Sequence, residues 1–221
     1  MHILSFDCAN RSLAVCYATI NTNILDDLAD ARDKKDAEKC VELIDGHIKI
    51  HVLKVFDLTK GKKVDTIKRT QLLKECLNSI DQLVLDSDTT PDQVLVEYQM
   101  SANDKSRCVS QQIIYHHAGR PNVDVALVGP TLKNKVCFSP DETLAHGTFM
   151  AKYASKYTAN KNHCKANFLH WLKLYRLDGL LKENGIAKKN VDDIADAFMQ
   201  MFGWLDFSST RIASRGRRVS S

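Results

Sequence analysis

The chemistry-bearing residues of this chain are acids at the ends of apolar runs. Near its end, KKNVDDIADAF (188–198) sets Asp192, Asp193 and Asp196 within roughly one helical turn, where like charges three and four apart repel. Asp7 closes HILSFD (2–7) and Glu97 closes QVLVE (93–97). Each acid has an ordinary reading alone: an Asp at a strand end caps a turn, and acids in a first helical turn complement the helix dipole. Capping explains Asp192 or Asp193 but not Asp196, already in the second turn. At 100° per residue, Ile194, Phe198, Met201, Phe202 and Leu205 share one apolar arc. Asp193, Asp196 and Gln200 share a narrower arc beside it. Carboxylates facing a sheet from that arc make a hard-oxygen site suited to Mg²⁺, with Mn²⁺ as substitute. Four such groups in one place repel strongly unless cations neutralise them. They suit two-metal phosphodiester cleavage, with ions about 3.5–4 Å apart clamping the attacking and leaving oxygens.

The elements that must position these acids follow from patterning. HILSFD (2–7) and LAVCYATI (13–20) read as a hairpin around the turn CANRS, and HIKIHVLKVF (47–56) alternates like a third strand. TKGKK after it reads as a polar loop. Apolar residues at helical spacing predict a helix over 64–85, and another over 104–118 stops at Gly119 and Pro121. QVLVE (93–97) and VDVALV (123–128) read as buried strands. Helices are expected over 162–184 and from Asp192 to about Leu205. Three leading strands, then alternating helix and strand, imply a mixed sheet flanked by helices, the ribonuclease H-like architecture. Residues 1–206 read as one domain, with 26–46 a charged surface insertion and 207–221 a basic tail without fixed structure.

Composition limits the rest. The 221 residues are 44% apolar and 26% charged, ordinary for a globular protein. The net charge of +4 equals the four arginines of the tail, Arg211, Arg215, Arg217 and Arg218, so the body is balanced. Seven scattered cysteines with no CxxC pair support neither a disulfide framework nor zinc, and fit a reducing compartment. The eight histidines form no HxxxH or HExxH pattern, and His116-His117 read as surface or capping residues. The start lacks a signal-peptide pattern and no run approaches a membrane span. An intracellular, non-membrane protein is expected.

SFDCANRSLA, VLVEYQMSANDKSR and KKNVDDIADAF together resemble the three acidic motifs of RuvC-type Holliday-junction resolvases, most closely those of poxviruses and related large DNA viruses. The resemblance runs from residue 2 to about 203. It implies a ribonuclease H-like fold and a metal site formed by Asp7, Glu97, Asp193 and Asp196, with two Mg²⁺ ions. It also implies a homodimer that nicks opposed strands of a four-way DNA junction, leaving 5′-phosphate and 3′-hydroxyl ends. For a large DNA virus the place of action would be the host-cell cytoplasm. The family's basic residue near the scissile phosphate falls on Lys133, slightly favoured, or Lys135. The run DD leaves Asp192 an alternative to Asp193.

Phosphate contacts need cations free of local acids. Lys152, Lys156, Lys161 and Lys165 run through AKYASKYTANKNHCKANFLHWLK among aromatics able to stack on unpaired bases, and Lys105, Arg107 and Lys135 could reach the same groove. Aromatics at this spacing are more often core, and lysines more often solvated face. Other chemistries of this fold fit less well. An exonuclease wants DxE on the first strand, where Ala9 stands. A ribonuclease H wants its second acid on a helix, and an ATPase wants glycine-rich phosphate loops. A catalytically silent DNA-binding or scaffold protein is the remaining alternative, beside a general nuclease.

Overall fold

The structure is a computed structural model that describes residues 1–24, 26–27, 30–31, 34, 36–44, 46–99, 103–134, 142–174 and 179–219. Five strands form one sheet: β1 (His2–Cys8), β2 (Ser12–Ile20), β3 (Ile48–Asp57), β4 (Gln93–Glu97) and β5 (Asp124–Val128), in the order β3-β2-β1-β4-β5. The first three pair antiparallel, and β1, β4 and β5 pair parallel. This mixed sheet with helices on both faces is the expected ribonuclease H-like fold. Among the described residues no helix is long and apolar enough to cross a membrane.

Between β2 and β3 the insertion carries α1 (Ala37–Ile44). α2 (Thr66–Leu85) and α3 (Asp104–Ala118) cover one sheet face, burying Leu73, Leu77, Ile80, Val109 and Ile113 against Leu4, Phe6, Val94 and Val96. Asp65 caps α2 by accepting from the Lys68 amide, and Asn103 caps α3 by accepting from Ser106. The short α4 (His146–Lys152) packs on α5 (Lys156–Leu174), which covers the other face with α6 (Leu180–Glu183) and α7 (Val191–Val219). Phe168, Trp171, Ile194, Phe198 and Phe202 bury there against Ile3 and Leu95. Each such side chain contributes about 1.5–3 kcal/mol by leaving water, so this second core fixes how α7 lies on the sheet.

The late helices differ most from their expected bounds. α5 begins at Lys156, six residues before the expected start, because TANKNH holds no helix breaker although its polarity hides the period. The span expected to 184 as one helix carries two among the described residues, α5 ending at Leu174 and α6 following Gly179. The backbone of α7 continues as helix to Val219, well past Leu205, where the tail was expected to be without structure. Pro is absent from that stretch, so nothing in it forbids the helical backbone.

Alternation along the strands aims the acids. Side chains two apart share a sheet face, and Ile3 of β1 and Leu95 of β4 both point toward α7. Asp7 and Glu97, on the same parities, therefore point there too. The parallel register pairs Phe6 with Val96, so Asp7 and Glu97 leave their neighbouring strands side by side.

Candidate active site

Asp7, Glu97 and Asp196 are 8%, 7% and 6% exposed. Their common neighbour is Lys133, in the short 3₁₀ turn Leu132–Asn134 after β5. Its Nζ lies 2.9 Å from Glu97 Oε1 and 2.7 Å from Asp196 Oδ2. Asp193, one turn before Asp196, lies at the rim, where its Oδ2 accepts from Ser12 Oγ at 2.7 Å and its Oδ1 stands 4.0 Å from Lys161 Nζ. Three buried carboxylates thus share one ammonium, a charge balance short of cations. Burial pushes the Asp7 carboxyl well up, and the nearby charges of Glu97 and Asp196 push it the same way. Burial also opposes ionisation of Glu97, but the Lys133 charge and hydrogen bonds from Asp7, Lys133 and Gln99 outweigh it and hold its carboxyl low. Lys133 is desolvated, yet Asp196, Asp7 and Glu97 raise it well above an ordinary lysine.

Other contacts lock the acids in place. Gln99 Nε2 donates to Glu97 Oε2 at 2.9 Å. Ser5 Oγ donates to the Ala197 carbonyl at 2.8 Å, and Gln200 Nε2 donates to Ser5 Oγ at 3.2 Å, stitching α7 to β1 beside Asp196. On α7, Gly203 allows the backbone of Leu132 to pack directly against the helix. Asn134 is buried beside Lys133, with its Oδ1 3.3 Å from His163 Nδ1. Gln200 was on the acidic arc of the sequence reading. Ser12, Gly203, Asn134 and His163 were not foreseen, since each acts through a partner far away in the chain.

The remaining expected residues are distributed unevenly. Lys133 is set among the acids, and Lys135, the alternative, lies outside the described residues. Asp192 meets Lys165 Nζ at 2.7 Å, an ion contact rather than a directed hydrogen bond, and Asp193 is the acid turned toward Ser12. Asp192 lies inside the first turn of α7 and not at its cap. Lys105, Lys152 and Lys156 are exposed, and Lys152 lies over the Tyr153 ring. The expectation of cations free of local acids fails for Arg107, paired with Asp104 at 3.0 Å, and for Lys161 and Lys165, which face Asp193 and Asp192. The docking of α5 on α7 brings the two lysines to their acids, whereas Arg107 meets Asp104 one turn away on α3. Phe168 and Trp171 are core, whereas Tyr157 is 70% exposed. His117 is fully buried instead of superficial, its ring against Phe6 and both nitrogens without a partner, while His116 meets Asp81.

Among the described residues no three His, Cys, Asp or Glu side chains already stand about one point at metal-ligating spacing. Lys133 stands between Glu97 and Asp196 instead. The donor set nevertheless fits a hard divalent cation: carboxylate oxygens, buried, with more negative charge than their one ammonium balances.

No protein-family model and no curated protein sequence matches the chain. Solved structures do. A crystal structure of fowlpox virus resolvase in complex with substrate Holliday junction DNA overlays with a TM-score of 0.56 at 15% identity, covering 93% of this chain and 97% of that one. A crystal structure of the fowlpox virus Holliday junction resolvase gives 0.51 at 16% identity, covering 93% and 98%. At such identities the likeness is one of fold.

Proposed function

We propose that this chain is a divalent-metal-dependent endonuclease that resolves four-way DNA junctions by paired nicks, leaving 5′-phosphate and 3′-hydroxyl ends. The observation that carries the reading is the convergence of Asp7, Glu97 and Asp196 on Lys133, with Asp193 at the rim. This convergence stands at the C-terminal end of the parallel strands of a ribonuclease H-like sheet. The fold overlap with resolvases, one of them holding Holliday junction DNA, supports the choice of branched DNA as substrate.

Asp7, Glu97, Asp193 and Asp196 would hold Mg²⁺, or Mn²⁺ in its place. Bound there, such ions supply a nucleophilic water at neutral pH and stabilise charge on the leaving oxygen. Lys133, kept protonated by its acidic neighbours, offers a cation to a phosphate oxygen. Ser12 and Gln99 hold the Asp193 and Glu97 carboxylates in one orientation. Burial under α5 and α7 keeps bulk water from screening these charges. Two copies related by a two-fold axis would match the two opposed strands of a junction. Free cysteines at positions 8, 16 and 164, buried and with their thiols pushed up by burial, suit work in a reducing compartment.

Incubation of a synthetic four-way junction with Mg²⁺ tests the reading. Symmetric nicks are expected from wild type and none from Asp196→Asn. If neither protein cuts, the chain is a silent binder or scaffold, and if both cut alike, the nuclease reading of this carboxylate site is wrong. If linear duplex is cut as fast as the junction, it is a general nuclease and not a resolvase.

A further inference from the structure

Beyond the carboxylates, the same end of the sheet carries a second charged feature. β1 and β3 run in one direction, because each pairs antiparallel with β2, so β3 leaves the sheet at the end where Asp7 stands. The segment that follows, LTKGKK (58–63), is held in a fixed shape. Asp57 Oδ1 accepts from the Thr59 amide and from Thr59 Oγ, both at 2.7 Å, and Oδ2 accepts from the Gly61 amide at 3.0 Å. The buried Leu58 amide donates to the Arg11 carbonyl at 2.8 Å, which ties the loop to the β1–β2 turn. Lys60 and Gly61 have φ of 48° and 75°. Gly and Asn adopt that left-handed region with least strain, and Lys does so at a cost. Lys60 thus carries its charge at a strained position.

Lys60, Lys62, Lys63 and Arg11 are all exposed. The nearest acids in the chain are already committed: Asp57 to the loop and Asp65 to capping α2. Lys60 meets Glu75 only at 3.9 Å, with both groups mostly in water. Among the described residues no ion pair joins Arg11, Lys62 or Lys63 to an acid. These are therefore cations without an acid partner, unlike Lys161 and Lys165 of α5. By strand geometry Asp57 lies two strands and two residues from Asp7, about 12 Å. That distance corresponds to three or four base-pair rises of about 3.4 Å.

We propose that loop 58–63 with Arg11 is a DNA-backbone clamp, gripping the phosphates of the duplex arm next to the bond to be cut. The clamp deepens the nuclease reading and rests on it. Phosphate contacts of this kind set affinity and register and carry no sequence preference.

Two triple variants of equal net charge test it. In one, Lys60, Lys62 and Lys63 become Gln, leaving Asp57, Thr59 and Gly61 to hold the loop. In the other, Lys34, Lys39 and Lys49 become Gln; they lie in the insertion and at the start of β3, at the opposite end of the sheet. Binding of a four-way junction is measured from 50 to 200 mM salt. The loop variant is expected to bind tenfold or more weakly, with a log–log salt slope shallower by about 2–3, at about 0.9 per phosphate lost. The distal variant is expected within twofold of wild type in both binding and cleavage. Equal losses in the two triples overturn the clamp and leave the nuclease standing. A wild-type chain that neither binds nor cuts the junction overturns both.

Discussion

Gly203 of α7 and Leu132 beside Lys133 touch backbone to helix: a β-carbon at Gly203 would come 2.6 Å from the Leu132 carbonyl oxygen and 2.8 Å from its carbon. Only a glycine lets the 3₁₀ turn that carries Lys133 sit this close to the helix that carries Asp196. Changing Gly203→Ala must push that turn away. The expected result is junction cleavage down tenfold or more, with a stability cost of about 1–3 kcal/mol from overpacking. Parallel measurement of single-turnover rate and urea midpoint checks it. A variant with wild-type rate removes Gly203 from the positioning of Lys133.

Asp7 is expected to trade stability for function. Its folded carboxyl lies well above the ordinary range through burial and through Glu97 and Asp196. The folded state therefore keeps this proton where the unfolded chain has lost it, and stability from this group falls as pH rises above the usual Asp value. Asp7→Asn removes the charge, so at pH 7 in EDTA the variant should melt above wild type while cutting nothing. Lower melting would contradict the electrostatic account of the site.

Divalent ions should stabilise the fold through the same acids. A ligand of the native state at a hundred times its dissociation constant adds about 2.7 kcal/mol. Mn²⁺ is expected to raise the melting temperature of wild type and not of Asp196→Asn. Ser12→Ala, which frees Asp193 from its hydrogen bond, should weaken Mn²⁺ affinity by about 10–100-fold. Thermal melts read the first effect and calorimetric titration the second, neither relying on turnover.

The two adjacent acids of α7 should separate cleanly. Asp192 faces Lys165, and Asp193 faces Ser12. Asp192→Asn is expected to keep cleavage within a few-fold of wild type, and Asp193→Asn to abolish it. The reverse order would transfer the proposed metal-holding role to Asp192.

Two buried histidines make the fold acid-sensitive. Burial, then the charges of Arg120 and His116, holds the His117 imidazole down at about 3, and burial, then His146, holds His163 at about 4. Unfolded histidines titrate near 6.5, so the unfolded chain takes up protons first as pH falls. Stability from each is complete above about 6.5 and is lost progressively toward those lower values. One excess proton corresponds to about 1.4 kcal/mol per pH unit. Urea melts between pH 6 and 5 should show that slope fall by about one proton in His117→Leu. An unchanged slope would mean that His117 protonates in the folded protein.

Much of the architecture was readable because burial writes its period into the chain. Leu4, Phe6, Val94 and Val96 against Ile3, Ser5 and Leu95 encode two sheet faces, and that alternation already aims Asp7 and Glu97 the same way. The late helix announced its apolar arc, and with it the side on which Asp193, Asp196 and Gln200 lie. α5 was legible only in part, since its polar first two turns carry no apolar period. The position of His117 was not legible at all: a histidine next to a glycine-ended helix has the same local pattern whether water or Phe6 covers it.

The sequence by itself determined the element order, the ribonuclease H-like arrangement and which acids end which strands, because those depend on periods of two and 3.6 residues that local composition expresses. The tertiary structure decided which groups meet. Ser12 reaches Asp193 across 181 residues, Lys133 reaches Glu97 across 36, and Gly203 sets how closely the Lys133 turn approaches α7. It also turned a polar TKGKK loop into a fixed basic surface through the bonds of Asp57. Such contacts depend on how α5 and α7 dock and on where each strand ends in space. That geometry is a property of the packed core as a whole, and no single stretch of the chain carries it.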